Sequence, residues 1–223
     1  HFVKPVFDRR VFLKTCTNGS SELMTNLSMS LVNALYNLQL MKIAGENGVA
    51  AYGAVMYVNF IFVATFLGYA IGCAPVISYH YGAGNHAELK NLYKKSMSII
   101  LVWGVILFGA AQLLAPVLSK IFVGYNTGLY AMTLHGFRVY AIAFLIIGIN
   151  IFGSSFFTAL NNGLISAVIS FLRTLVFQVI MVLTLPLWFG INGIWSAISI
   201  AEALTLIMTT TFFVRQKDKY HYL

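Results

Sequence analysis

Two ionisable side chains, Arg173 and Glu202, lie deep inside stretches that are otherwise apolar. Counted from the nearest ends of those stretches, each lies about ten residues in, or about 15 Å along a helix. A charge at such a depth in a membrane is a functional candidate by default. Their opposite signs on consecutive segments predict a direct or bridged ion pair. Two hypotheses stay open: a structural clamp, or a carboxylate that titrates during function.

Polar residues also recur at helical spacing within apolar segments. Two sets of such residues, named at the end of this paragraph, each fall on one helix face. A further polar residue, Asn59, lies alone near the middle of another segment. A polar face is excluded from lipid, so each set is predicted either to hydrogen-bond to a neighbouring helix or to line a cavity for substrate. The three groups are Asn26, Ser30, Asn33, Asn37; Asn150, Ser154, Thr158; and Asn59.

The sequence offers little for catalysis or metal binding. The five histidines are scattered, neither HExxH nor GxSxG occurs, and the cysteines Cys16 and Cys73 stand apart. An intramembrane enzyme would need a nucleophile with a base, or a metal cluster at helical spacing. We therefore predict no enzymatic activity, no metal site and no cofactor.

The elements that must position these residues are membrane-spanning helices. Hydrophobic residues make up 59% of the chain and charged residues 9%, against about 25% charged in a soluble domain. Segments of about 20 apolar residues, the length that crosses a bilayer, recur in series. The prediction is an all-α integral membrane fold, a bundle of six transmembrane helices, at 20–41, 50–78, 96–122, 134–160, 163–189 and 192–214.

Basic residues predict the orientation of these spans. Ten lie in alternate connections and at the two ends, whereas the other connections hold only Lys42 and Lys120. The positive-inside rule then places both ends and the 79–95 loop in the cytoplasm of a bacterial inner membrane. Because the positive charge is divided among loops, nucleic acid is not a predicted partner.

The chain divides into a linker (1–18), a six-helix lobe (19–215) and a cytoplasmic tail (216–223). A helix start is predicted at Gly19 to Glu22. In the second span, Gly68 and Gly72 are spaced to let a neighbouring helix approach closely, and Pro75 predicts a bend or an early helix end. Gly82 to Asn85 has the composition of a turn.

Three ordered stretches carry a resemblance to a known family. APVISYHYGAGN, ALNNGLISAVISFLRTLVF and LPLWFGINGIWSAISIAEAL together resemble the carboxy-terminal lobe of multidrug and toxic compound extrusion (MATE) transporters, from about Gly19 to Arg215. The resemblance implies a second lobe joined to an absent amino-terminal lobe, within a twelve-helix antiporter. It implies small cationic or amphipathic substrates, exchanged for protons or sodium ions. Some branches carry a coupling carboxylate near the position of Met29, so the apolar residue there places any coupling acid in the other lobe.

Other functions remain open at this stage. A flippase of lipid-linked saccharides would share the architecture and keep charges in its cavity, and an arginine-rich cavity would favour it, but the only arginines in the spans are Arg138 and Arg173. A structural membrane subunit that transports nothing is a further alternative. The drug exporter is the favoured function.

Overall fold

The computed structural model describes the backbone of residues 9–222 and, within them, every side chain except those of residues 10, 11 and 13–25. This part of the chain is helical throughout, apart from short turns. The helices are α1 Arg9–Gly82, α2 His86–Val123, α3 Thr127–Tyr140, α4 Phe144–Ala159, α5 Gly163–Phe171, α6 Gln178–Phe189 and α7 Ile191–Tyr220. A 3₁₀ turn, Ala141–Ala143, joins α3 to α4, and a π-helical turn, Leu172–Phe177, joins α5 to α6.

Helix α1 contains two of the predicted spans, divided at Gly45. Gly45 has φ 62° and ψ −154°, in a region that a residue with a Cβ rarely adopts. The described residues include five helices long and apolar enough to cross a membrane. The first of them, Asn26–Gly82, is 57 residues long, about 85 Å of helix and far more than one bilayer thickness. The break at Gly45 therefore makes the all-helical membrane fold compatible with six crossings.

Pro75 does not end its helix, so the predicted early end is wrong. Helix α1 continues to Gly82, and the residue with non-helical dihedral angles inside it is Gly45. A membrane helix tolerates proline when neighbouring groups compensate for the lost hydrogen bond. Beyond Pro75, the Ser78 hydroxyl donates to the carbonyl of Ala159 at 2.9 Å and fixes the end of α1 to α4.

The predicted 79–95 loop is much shorter in the structure. Only Ala83 to Asn85 separate α1 from α2, with Gly84 at φ 67°. Asn85 caps α2 by accepting from the backbone N–H of Glu88 at 3.1 Å, and Asn126 and Asn162 cap α3 and α5 in the same way. The predicted spans 134–160, 163–189 and 192–214 leave two-residue gaps, and these short connections are confirmed, with φ 57° at Asn161 and 56° at Gly190.

Both ends of the predicted lobe also extend further as helix. Helix α1 already includes Arg9, the first residue that the structure describes, so the predicted start at Gly19 is wrong, and α7 continues to Tyr220. The tail then folds back, because Tyr222 is fully buried among Tyr93, Phe156 and Phe213. Its hydroxyl donates to the Phe213 carbonyl at 2.9 Å, and burial raises the pKa of Tyr222. The side chains of Cys16 and Glu22 lie outside the described residues.

The centre of the bundle is the fourth span, formed by α3 and α4, which is the most buried of the five long apolar helices. Helix α4 packs against α1, α2, α5 and α7. Small residues permit the close contacts: a Cβ on Gly148 would overlap the ring of Phe66, and a Cβ on Gly153 would overlap the methyl of Thr209. This packing brings Asn150 on α4 next to Glu202 on α7.

Candidate functional site

Arg173 and Glu202 form the predicted ion pair directly. The Arg173 Nε–H donates to both carboxylate oxygens of Glu202, at 2.8 and 3.1 Å. The Glu202 side chain is 1% exposed and that of Arg173 is 17% exposed. Removing two charges from water at this depth is costly, so the contact compensates for desolvation that each residue alone would suffer.

Asn150 completes this cluster from α4. Its side-chain amide donates to Glu202 Oε2 at 2.7 Å and to the Glu202 backbone carbonyl at 2.9 Å. Asn150 and Glu202 are both 0% exposed as whole residues. The cluster therefore joins three successive spans through one carboxylate. Movement of α4 relative to α7 would have to break the hydrogen bonds between Asn150 and Glu202.

The π-helical turn positions the arginine. Arg173 is the second residue of Leu172–Phe177, where the backbone is wider than in an α-helix. Short π-helical segments inside α-helices occur frequently at functional sites. Helical periodicity gives no sign of this turn, since every residue within it is compatible with an α-helix.

The first polar set lies on an exposed face of α1. Asn26, Ser30 and Asn33 are exposed and Asn37 is half-buried. Ser30 and Asn37 donate only to backbone carbonyls of their own helix, four residues earlier. Asn33 accepts from the Tyr52 hydroxyl at 3.0 Å. Three of the four side chains are therefore exposed on α1, and the cavity-lining role of this set stays a prediction.

The second polar set lies elsewhere in the bundle, and the cavity-lining alternative is wrong for Asn150, which is fully buried against Glu202. Ser154 contacts the hydroxyls of Ser166 and Ser170 on α5, at 2.9 and 2.7 Å. Thr158 is exposed, but its hydroxyl donates to Ser166 at 2.6 Å. This set makes interhelical hydrogen bonds, the alternative that the sequence left open.

The remaining predicted residues lie apart from the charged cluster. Asn59 is half-buried, and its Oδ1 has no hydrogen-bond partner among the described residues. Gly68 and Gly72 are exposed, and beyond the adjoining residues and backbone of α1 itself no described atom comes within 4 Å of a Cβ placed on either. The close helix approach predicted for them is therefore wrong within this part of the protein, because the face that carries them has no neighbouring helix.

Sequence reasoning missed two groups that support the site. Ser166 and Ser170 are the partners of Ser154, and their spacing of four residues was a readable signal. Tyr52 orients Asn33 and stacks on the ring of Tyr36, with centroids 5.0 Å apart. Only the fold could bring Tyr36 and Tyr52 together, because they lie on opposite sides of the break at Gly45.

Comparison with known proteins gives a family and a fold. A family profile described as MatE matches residues 23–184. No curated protein sequence matches the chain. Among solved structures, the chain is similar to the outward-facing conformation of a multidrug resistance MATE family transporter of the MOP superfamily. That match has 20% identity and a TM-score of 0.87, and covers 99% of this chain and 49% of the other.

Two further solved structures agree. A crystal structure of MATE in the straight conformation matches with 20% identity and a TM-score of 0.87, over 98% of this chain and 49% of the other. A MOP superfamily transporter from Pyrococcus furiosus Vc1, whose reversed pocket polarity suggests a different function, matches with 20% identity and a TM-score of 0.84. This match covers 95% of this chain and 48% of the other. The chain spans about half the length of these solved relatives, and the similarity establishes the fold.

Proposed function

Because the chain belongs to the MatE family, we propose that it forms part of a secondary active transporter that exports small cationic or amphipathic compounds. The family and fold make it a membrane-embedded, multi-pass transporter protein rather than an enzyme. The proposed export is an antiport in which protons or sodium ions flow inward. The chain would supply one six-helix lobe, with an amino-terminal lobe of the same protein as its partner.

One observation carries this proposal: the open face of α1 that holds Asn26, Ser30, Asn33 and Asn37. These residues lie on a helix apolar enough to span a membrane, and the first three are exposed. A stripe of amide and hydroxyl groups on such a helix is more favourable against water, substrate or another polar surface than against hydrocarbon. A substrate cavity between this lobe and a second lobe would provide it.

The charged cluster has a different proposed role. Arg173, Glu202 and Asn150 satisfy one another inside the lobe, so they are suited to hold three spans together while the lobe moves as a unit. Met29 is exposed and carries no charge, and the proposed coupling acid therefore lies in the other lobe. The saccharide flippase has no specific support here, because the cavity-facing stripe on α1 is uncharged.

Substitutions on the stripe test the proposal. We expect the double variant Ser30→Ala, Asn37→Ala to lower the initial rate of ethidium efflux from cells about 3- to 10-fold, as the loss of one or two polar contacts with substrate would. Both side chains donate only to their own helix, so protein abundance should stay normal. Fluorescence of ethidium-loaded cells and immunoblotting measure the two quantities.

The matched control is Thr184→Val. Thr184 is exposed on α6, and its hydroxyl also bonds to its own helix, at Ile180. This variant should export ethidium at the unmodified rate. Unchanged efflux in the stripe variant, at equal abundance, would remove the cavity assignment of α1.

The proposed orientation follows from the positive charges and is tested separately. With both ends cytoplasmic, cysteines placed at Asn85 or Lys217 should resist an impermeant thiol reagent added to intact cells, and a cysteine at Asn126 should react. All three positions are exposed in the structure. Labelling at Asn85 before permeabilisation would reverse the orientation.

A further inference from the structure

A side groove opens between the second half of α1 and the start of α2, on the surface of the bundle. It encloses about 270 Å³ and is lined by Thr65, Phe66, Tyr69, Ile99, Ile100 and Trp103. Pockets for drug-sized molecules enclose about 300 to 1,000 Å³. This groove is therefore suited to the end of a chain-like molecule, with little room for a whole drug.

The polar groups that border the groove are already satisfied. The Trp103 indole N–H donates to the Thr65 hydroxyl at 2.8 Å. The Tyr69 hydroxyl donates to Ser96 at 3.0 Å. The remaining wall is hydrocarbon, so the groove favours an occupant without hydrogen-bonding groups.

The exposed surface of α2 beside the groove is apolar, as contact with lipid requires. Ile99 and Trp103 are 49% and 40% exposed, and the exposed residues that follow them on α2 include Val102, Val105 and Leu113. No polar stripe like that of α1 lies on this surface of α2. Hydrocarbon chains of lipid therefore have direct access to the groove.

A positive charge lies at one end of the groove. Lys95 precedes Ile99 and Trp103 at spacings of four and eight, so the three residues lie along nearly the same side of α2. Lys95 is about 6 Å from Ile99 along the helix axis and is exposed, as are Lys90 and Lys94. The nearby acid Glu88 is engaged by the side chain of Asn91, at 3.0 Å.

We propose that this groove binds one anionic phospholipid, with an acyl chain between Phe66, Ile99 and Trp103 and the phosphate beside Lys95. Lipid tails are as apolar as the groove, so the chain alone gains little by entering it. Selectivity must then come from the headgroup, through the attraction of an anionic lipid to basic residues at the membrane surface. The site is separate from the proposed substrate face and does not depend on transport.

Quenching of Trp103 by brominated lipid tests the proposal in nanodiscs of fixed composition, three parts phosphatidylcholine to one part phosphatidylglycerol. In one preparation only the phosphatidylglycerol chains are brominated, and in the other only the phosphatidylcholine chains. Subtracting the fluorescence of the Trp103→Phe variant from that of the unmodified protein isolates the signal of Trp103 from that of the other tryptophans. We expect the ratio of phosphatidylglycerol to phosphatidylcholine at the site to be about five times their ratio in the bulk bilayer.

Three variants separate headgroup recognition from general charge. Lys95→Gln should remove the preference, so that each lipid quenches Trp103 in proportion to its amount in the bilayer. Ile99→Phe should fill the groove and reduce quenching by either lipid. Lys120→Gln, at the far end of the same helix, should leave the preference unchanged. Quenching in proportion to bulk lipid in the unmodified protein, or a preference retained in Lys95→Gln, would overturn the proposal.

Native mass spectrometry supplies an independent readout if a variant is poorly folded. The unmodified protein, released from detergent with added phosphatidylglycerol, should retain one copy of the lipid. Lys95→Gln should retain it several-fold less often than Lys120→Gln does. Equal retention by these two variants would also contradict the site.

Discussion

Replacing Glu202 with glutamine while Arg173 remains is expected to lower the amount of folded protein sharply. The substitution leaves a guanidinium inside the bundle without its counter-ion, and removing one partner of a buried pair costs about 3 to 5 kcal/mol. The carboxylate is 1% exposed, so water cannot replace the partner without rearrangement. Fluorescence-detected size exclusion and the melting temperature of the solubilised protein measure the loss.

Two controls make this prediction specific. The double variant Arg173→Gln, Glu202→Gln removes both charges and should recover part of the lost stability, whereas Glu46→Gln, at an exposed acid, should have little effect. A single variant as stable as the unmodified protein would contradict the structural role of the pair. If such a variant also altered the pH dependence of efflux, the hypothesis of a titrating carboxylate would replace it.

Gly193→Ala is expected to be the most damaging small substitution in the last hairpin. Gly193 lies in the first turn of α7, directly after the connection at Gly190, and is buried. A Cβ there would overlap the backbone of Leu185 and Pro186 on α6. Because backbone atoms cannot rotate away as a side chain can, the two helices must separate, at a cost of about 1 to 3 kcal/mol.

Gly109→Ala is the matched control for this substitution. Gly109 is also helical, but no described atom outside its own turn lies within 4 Å of a Cβ placed on it. Alanine has the higher helix propensity, so this variant should be as stable as the unmodified protein or slightly more so. Equal melting temperatures for the Gly193 and Gly109 variants would show that α6 and α7 are less tightly packed than described.

Hydropathy predicted the existence of the long apolar helices better than it predicted where they end. A span is defined by the thickness of hydrocarbon, whereas a helix continues into the polar layer until a capping residue stops it. The stretch after Tyr79 illustrates this, since α1 continues to Gly82 and Asn85 begins α2 almost at once. The same reason explains the early start of α1 and the helical tail before Tyr222.

The ion pair was predictable because the free-energy cost of burying a charge in hydrocarbon is high. Two opposite charges deep in hydrocarbon have few stable arrangements, and Arg173 and Glu202 adopt the direct one. Helical periodicity, in contrast, places residues on one face without saying what that face meets. Asn33 lies on an open face and Asn150 in a buried contact, although their sequence patterns are alike.

The most direct test of the proposed export is ethidium transport by the reconstituted protein in proteoliposomes under imposed cation gradients. The proposal predicts transport that is driven by a proton or a sodium gradient and collapses when an ionophore dissipates that gradient. Ser30→Ala, Asn37→Ala should lower the driven rate and leave passive leakage unchanged. Ethidium movement at the same rate with and without either gradient would contradict cation-coupled export by this protein.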